Sequence, residues 1–225
     1  MISIILPALD EGAAIADTLR SLQDARLAGH EVVVVDGGSS DNTVALARPH
    51  ADLVLEGSRG RARQMNQGAT AASGEVLLFL HADTVLPDGA ALLIADALSR
   101  EAVKWGRFDV RLSGARPILR VVERLMNLRS RLTGMATGDQ AIFVRAMLFE
   151  RVGGFPDQPI MEDLALSRAL LAHSRPACIR KPVITSSRRW EENGAIATII
   201  LMWRLRAAYY FGADPERLAI RYSAR

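Results

Sequence analysis

Short, wholly apolar stretches alternate with amphipathic ones in the first third of the chain. The apolar stretches are rich in β-branched residues, which is typical of strands buried on both faces, and the amphipathic ones repeat with the period of a helix. Pro7 ends the first apolar stretch, and Asp41 is placed to cap a helix. The pattern predicts strands at 2–6, 31–35, 51–56 and 74–83 and helices at 13–28, 43–48 and 63–72.

The remaining two thirds are less regular. The helix at 117–132 carries four arginines on an amphipathic pattern, and 194–211 is predicted to be another cationic amphipathic helix. The glycines at 153 and 154 end a helix that follows a strand. Further elements predicted here are helices at 86–99 and 160–173 and a strand at 106–114.

Strands that alternate with helices predict an α/β fold with a mostly parallel central sheet and helices on both faces. A chain of 225 residues is the right length for one such domain. Ligands of parallel sheets bind at the carboxyl ends of the strands. Asp36 and Asp83 follow two of the strands and residues 7–11 follow the first, so three loops should converge at one edge.

Composition narrows the classes of partner. Hydrophobic residues make up 49% of the chain and charged residues 24%, as in ordinary globular proteins. The net charge is +3 and the basic residues are mostly arginine, which favours partners that carry phosphate. Aromatic residues make up only 5% and do not alternate with a basic run, so no nucleic-acid partner is expected.

Other features argue against secretion and against a membrane span. The single cysteine, Cys178, cannot form an internal disulfide and has no neighbouring metal-ligand pattern, so we expect a buried strand thiol. The N-terminus enters an apolar strand without a charged leader, and no 18 apolar residues are consecutive. We therefore expect a cytoplasmic protein.

Several polar residues at strand ends and helix starts could carry chemistry. Asp36 could accept hydrogen bonds from a nucleotide base or could merely cap the turn "GGSSDN". Asp83 is a suitable ligand for Mg²⁺ or Mn²⁺. Glu162 and Asp163 are neighbouring acids at a helix start, where mutual repulsion suits a general base, although acids at that place also simply favour a helix.

A basic segment, "SRGRARQMNQG", could cradle a diphosphate. It brings together Arg59, Arg61 and Arg63, and Gly60 allows a close backbone approach ahead of a helix N-terminus. The alternative is a solvated basic loop.

Six segments occur in the order seen in family 2 glycosyltransferases. They are "SIILPALDEG", "VVVVDGGSSDNT", "GRARQMNQGA", "LLFLHADT", "GGFPDQPIMEDLAL" and "SSRRW", and the similarity covers residues 2–190, nearly the whole chain. The chain thus resembles a short, stand-alone bacterial member of that family. The resemblance implies a GT-A fold, a UDP- or GDP-linked sugar donor, a divalent metal and inversion at the anomeric carbon.

The resemblance also implies roles for individual residues. Asp163 would be the catalytic base with Glu162 as its supporting partner, and Asp83 would be the metal ligand. His81 departs from the family's Asp-x-Asp pattern, which puts the usual ribose contact in doubt. The implied nucleotide-binding residues are Pro7, Leu9, Glu11, Asp36, Gly60, Arg61, Arg63, Asp83 and Arg189, and the implied acceptor-binding residues are Gly138, Asp139, Gln140 and Trp190.

The whole chain, 1–225, is then one GT-A domain. Its nucleotide-binding half is 1–85, its acceptor half 86–190 and its C-terminal helical segment 191–225. The acceptor could be a small molecule or lipid-linked, in which case the two cationic helices could contact a membrane peripherally. Two other functions stay open: a non-catalytic nucleotide-sugar binding module, and a nucleotidyltransferase, although "PALDEGAA" lacks the glycine-rich loop that the latter needs. The sequence leaves the oligomeric state open.

Overall fold

The apolar stretches form the strands of one curled sheet. The computed structural model describes residues 1–223 of the chain. Strands β1 and β2 lie in the middle of the parallel half and are buried on both faces, as their unbroken apolar runs predict. The strands are β1 (Ile2–Ala8), β2 (Glu31–Asp36), β3 (Leu53–Glu56), β4 (Val76–Phe79), β5 (Thr84–Val85), β6 (Trp105–Leu112), β7 (Ile142–Arg145) and β8 (Ala177–Thr185).

The strand order is β3-β2-β1-β4-β7-β6-β8-β5. The four strands of the N-terminal half pair in parallel, and β6 pairs in parallel with β8. Strand β7 is antiparallel to both of its neighbours, and β5 is antiparallel to β8. The predicted α/β class with a mostly parallel sheet is therefore confirmed.

Helices cover both faces of this sheet. Successive side chains of a strand point to opposite faces, so Ile4 packs into one hydrophobic cluster and Ile5 into the other. The helices are α1 (Ile15–Ser21), α2 (Gln23–Leu27), α3 (Thr43–Ala47), α4 (Arg61–Ala71), α5 (Ala90–Ser99), α6 (Pro117–Thr133), α7 (Ala146–Arg151), α8 (Glu162–Leu171), α9 (Arg188–Glu192), α10 (Ala195–Tyr210) and α11 (Pro215–Ser223). Among residues 1–223, none of these helices has the length and hydropathy needed to cross a bilayer.

Pro7 does not end β1, contrary to the sequence prediction. The strand continues to Ala8, and Pro7 pairs with Val35 of β2. The pairing of β1 with β4 stops at Ile5, whose carbonyl accepts the N–H of Leu80. Backbone groups two residues apart in a strand point to the same neighbouring strand, so an N–H at Pro7 would point to the side of β4, as Ile5 does. The pairing with β4 has already ended there, so the N–H that proline lacks is not needed.

Three predicted helices also differ from their observed bounds. The helix expected at 13–28 divides into α1 and α2, because the N–H of Leu22 bonds to Leu19 in a tighter turn. The helix expected from residue 86 begins only at Ala90, after the left-handed Gly89. Helix α10 is not amphipathic as expected: Ile196, Ile200 and Trp203 are exposed on it.

The C-terminal helices pack against the start of α8. Ile160, Met161 and Leu164 form a third hydrophobic cluster with Leu205 of α10 and Leu218 of α11. Helices α10 and α11 therefore lie next to the predicted catalytic acids.

Candidate active site

The loops after β1 and β2 are joined by hydrogen bonds at the carboxyl edge of the sheet. The Asp10 carboxylate accepts the N–H of Ser40 at 2.8 Å, and the N–H of Gly12 donates to Asp41 at 2.9 Å. Asp41 also accepts the N–H of Thr43 at 2.9 Å, so it caps the first turn of α3 although Asn42 is the boundary residue. These hydrogen bonds hold the loop that carries Leu9 and Glu11 against the loop that follows β2.

Asp36 ends β2, and its carboxylate is buried. One of its oxygens accepts the N–H groups of Gly38 and Ser39, each at 2.9 Å, and the other accepts the Ser39 hydroxyl. These bonds match the turn-capping alternative. The base-binding role of Asp36 stays a prediction.

Asp163 lies at the start of α8 and faces the loop of Gly138. One carboxylate oxygen accepts the N–H of Gly138 at 2.8 Å, and the other accepts the N–H of Leu164 at 2.7 Å. Met161, just before the helix, has a left-handed backbone with φ 64°, which is uncommon for a residue with a side chain. The predicted base and the predicted acceptor loop thus come together at a cavity of about 120 Å³.

Glu162 is not part of the cavity lining, and it pairs with Arg61. Its side chain is buried, one carboxylate oxygen accepts from Nε of Arg61, and the other has no partner. Burial raises the pKa of Glu162, and the charge of Arg61 opposes that rise. Arg61 is the first residue of α4 after Gly60, whose φ of 137° suits only glycine.

His81 lines the same cavity from the end of β4. Its Nε2 atom is buried without a hydrogen-bond partner. Burial, and then the charge of Arg61, lowers the pKa of His81 to about 4, so the ring is neutral at pH 7. A Cβ atom on Gly138 would lie 2.5 Å from Nε2, so only glycine fits between this ring and Asp163.

Asp83 is half-buried beside Glu11. Its nearest hydrogen-bonding neighbour is the Thr84 hydroxyl at 3.4 Å, which leaves the carboxylate oxygens free. Burial and then the charge of Asp83 raise the pKa of Glu11. Within residues 1–223, no three His, Cys, Asp or Glu side chains are grouped to ligate a metal by themselves. The donor set fits a hard cation that takes one carboxylate and completes its shell with phosphate oxygens and water.

Arg63 and Arg189, which are also predicted to bind the nucleotide, have protein partners. Arg63 is exposed and pairs with Asp157 at 2.8 Å, and Arg59 is exposed. Arg189 donates to the Tyr222 hydroxyl, and its guanidinium lies 3.6 Å from the centre of that ring.

The predicted acceptor residues divide into two sets. Gly138 and Asp139 line the cavity, and Trp190 lines an adjoining groove. Gln140 is fully buried and accepts the N–H of Thr137 at 3.2 Å, so it shapes the turn and does not reach the cavity.

Three residues near the cavity were not predicted as site residues. Arg206 and Tyr222 line it, and Arg129 lines the groove beside it. Arg129 belongs to the arginine pattern of its helix, but that pattern does not show which arginine points inward. No sequence pattern indicates that Tyr222 lies at the cavity, because its position depends on how α11 packs.

Comparison with known proteins identifies the family. The family model described as "Glycosyl transferase family 2" matches residues 3–149. A poly-beta-1,6-N-acetyl-D-glucosamine synthase of Staphylococcus epidermidis is 35% identical over 95 residues, which are 40% of this chain and 23% of the synthase. The synthase of Staphylococcus aureus strain COL is 32% identical over the same shares. The matched segment therefore spans less than a quarter of these relatives.

Solved structures show the GT-A fold. S. aureus TarS 1-349 superposes with a TM-score of 0.69 at 20% identity, over 83% of this chain and 60% of TarS 1-349. The Pyrobaculum calidifontis mannosyltransferase PcManGT, solved with GDP-Man and Mn²⁺, has a TM-score of 0.65 at 25% identity, over 92% and 60%. Glucosyl-3-phosphoglycerate synthase from Mycobacterium tuberculosis has a TM-score of 0.62 at 20% identity, over 89% and 77%.

Proposed function

The chain belongs to glycosyl transferase family 2, and we propose that it is an inverting glycosyltransferase with a UDP- or GDP-linked sugar as donor. The observation that carries this proposal is the Asp163 carboxylate, aimed by two backbone N–H groups at a cavity on the carboxyl edge of the sheet. Donors of both kinds occur among structural neighbours, as UDP-GlcNAc with TarS and GDP-Man with PcManGT.

Asp163 acts as the general base. Each of its oxygens accepts one backbone N–H and keeps a second lone pair, so the carboxylate has a fixed plane and room for an acceptor hydroxyl. The hydroxyl gives its proton to Asp163, and its oxygen forms a bond to the anomeric carbon. The bond from that carbon to the diphosphate breaks on the opposite side, and its electron pair leaves with the diphosphate. Attack from the opposite face inverts the anomeric centre.

Glu162 supports the base indirectly. It fixes Arg61 at the first turn of α4, and Arg61 in turn lines the cavity beside Asp163. Arg61 is 40% exposed, so part of its guanidinium remains available to a phosphate.

Asp83 is the residue that would ligate a Mg²⁺ or Mn²⁺ ion together with donor phosphate oxygens. Such an ion neutralises negative charge on the departing diphosphate. Two of the structural neighbours are complexes with Mn²⁺, which supports the proposal.

Release of nucleoside diphosphate from a panel of sugar nucleotides tests this function. Asp163→Asn should keep donor affinity and lose about 10²- to 10⁴-fold in turnover, because a general base contributes that much. Asp17→Asn, in the exposed ion pair with Arg20, is the matched control. Turnover of Asp163→Asn within about threefold of wild type would exclude this base, since the loss falls far below that range.

The same measurements separate the alternatives. A binding module would bind the donor without releasing nucleoside diphosphate. A nucleotidyltransferase would also release none from a sugar nucleotide, but would release pyrophosphate when it is given a nucleoside triphosphate and a sugar phosphate. Inversion is tested by NMR of the anomeric proton in the product.

A further inference from the structure

A groove between α6 and α10 adjoins the Asp163 cavity. Its volume is about 530 Å³, and most of its lining is apolar. Leu128, Leu132 and Trp203 line it, and their exposed fractions of 53%, 69% and 63% are high for such large apolar residues. Leaving so much apolar surface in water is unfavourable by about 25 cal/mol per Å², so a ligand that covers it gains affinity.

The groove leads to the catalytic base. Asp139, Met202, Arg206 and Tyr222 line both the groove and the cavity that contains Asp163. An occupant of the groove that extends along its lining therefore passes these residues and ends at the base.

Two arginines at this junction lack anionic partners. Within residues 1–223, neither Arg129 nor Arg206 forms an ion pair. Nε and Nη2 of Arg129 and Nε of Arg206 are buried without a hydrogen-bond partner, and Nη1 of Arg129 donates to the Met135 carbonyl at 3.3 Å. Both side chains are partly exposed, but buried N–H donors without an acceptor are unfavourable, so these donors suit an anionic ligand.

Arg129 stays protonated at neutral pH. Burial, and then the charge of Arg206, lowers the pKa of Arg129 only to about 10. Asp139 is the one acid among the described residues that line the groove, against three arginines, Arg129, Arg189 and Arg206. The lining therefore has a surplus of positive charge when the groove is empty.

We propose that the α6–α10 groove binds an amphiphilic acceptor, with its apolar chain along α6 and α10, its phosphate ester at Arg129 and Arg206, and its hydroxyl at Asp163. This inference rests on the proposed function and names its acceptor class. Two adjacent cations match the negative charge of a phosphate ester better than a neutral headgroup.

Calorimetry with three probes tests the groove directly. Decyl phosphate combines a chain with a phosphate, decyl glucoside has the chain alone, and inorganic phosphate has the charge alone. Below its micelle concentration, decyl phosphate should bind at least about tenfold more tightly than either of the others. It should also shift the tryptophan fluorescence, because Trp190 and Trp203 line the groove. Trp105 is fully buried elsewhere, so it should not contribute to the shift.

Matched variants separate the contribution of the phosphate from that of the apolar chain. Arg206→Gln should weaken decyl phosphate by about ten- to a hundredfold, since a hydrogen bond to a charged group is lost. Leu128→Asp should weaken it by about tenfold or more, because the chain then meets a charge. The controls are Arg124→Gln, an exposed arginine on the same helix, and Leu92→Asp, an exposed leucine on α5; neither lines the groove.

Three outcomes overturn the inference: equal binding of all three probes, equal losses in the controls, or a dimer that Leu128→Asp dissociates without changing decyl phosphate affinity. UDP and GDP binding, measured on the same preparation, separates the two proposals. If the protein binds nucleotide but not decyl phosphate, the proposed acceptor groove alone is refuted. If it binds decyl phosphate but transfers sugar from no donor, only the proposed function is refuted.

Discussion

The pair of buried Glu162 and partly exposed Arg61 gives the sharpest test of how the acids are arranged. Glu162 is 1% exposed and Arg61 40%, and within residues 1–223 Arg61 is the side chain that bonds to Glu162. Arg61→Met keeps most of the apolar stem and removes the charge, which leaves a buried carboxylate unpaired. Breaking a buried pair by removing one partner typically costs about 3–5 kcal/mol.

The loss of stability in Arg61→Met can be smaller than this, because the Glu162 carboxyl can become neutral by taking up a proton. A carboxyl with an ordinary pKa of 4.5 can be kept protonated at pH 7 for about 3.4 kcal/mol, at about 1.36 kcal/mol per pH unit. This cost falls to about 1.4 kcal/mol at pH 5.5. The wild type already bears part of this cost, because burial raises the pKa of Glu162 despite Arg61. We therefore expect Arg61→Met to lose about 2 kcal/mol at pH 7 and less than about 1 kcal/mol at pH 5.5.

The sign of the pH dependence follows from the raised pKa. Between the pKa of the unfolded chain and the higher pKa of the folded state, the folded protein binds more protons. The free energy of unfolding therefore falls as the pH rises through that window. Arg61→Met raises the upper end of the window, so its loss of stability must grow with pH.

Urea denaturation at pH 5.5 and pH 7 without nucleotide measures this effect. Arg63→Met, in the exposed pair with Asp157, should cost no more than about 1 kcal/mol at either pH. Glu162→Gln in the Arg61→Met background should abolish the additional pH dependence. An equal loss at both pH values, or an equal loss in Arg63→Met, would refute the reasoning.

Three further predictions concern the ligand-binding edge and the base loop. Asp83→Ala should remove the gain in nucleotide affinity that Mn²⁺ gives to wild type, and calorimetry with and without EDTA measures it. Asp36→Asn should keep the turn, because an amide oxygen can still accept the N–H groups of the turn, but should weaken UDP or GDP by about tenfold if Asp36 binds the base. Gly138→Ala should displace His81 and lower stability by about 1–3 kcal/mol, measured by urea denaturation; an unchanged midpoint would contradict the contact.

The parallel half of the sheet was predictable because its signal is local. An unbroken run such as Val32–Val35 has no polar face to expose, so it must be covered on both sides, and short apolar runs separated by helices have few other solutions. Strand β8 was expected only at Cys178, whose thiol is partly exposed and not buried as predicted, and the rest of the strand gave no such signal. Its pairing with β6 shifts between Phe108 and Asp109, and Arg180 and Lys181 fall in that irregularity, which interrupts any alternation of apolar and polar residues.

The site was predictable where family motifs specify it and unpredictable where distant residues meet. The contact of Asp163 with the Gly138 loop agrees with the roles expected for both. Arg61 and Glu162 are 101 positions apart in the sequence, and a sequence pattern does not show which distant residues come into contact. Arg61 was therefore assigned only to the diphosphate, and Glu162 only to Asp163.

The C-terminal helices complete the site through backbone geometry as well as through the groove. Met161 is buried against Leu205 and Leu218, and this packing holds its backbone in the left-handed region that precedes Asp163. A side-chain residue adopts that conformation only when its surroundings fix it. Helices α10 and α11 thus stabilise the turn that directs the base, and α10 also carries Arg206 at the cavity. Residues after 190 therefore line the candidate active site, although the family match ends at residue 149.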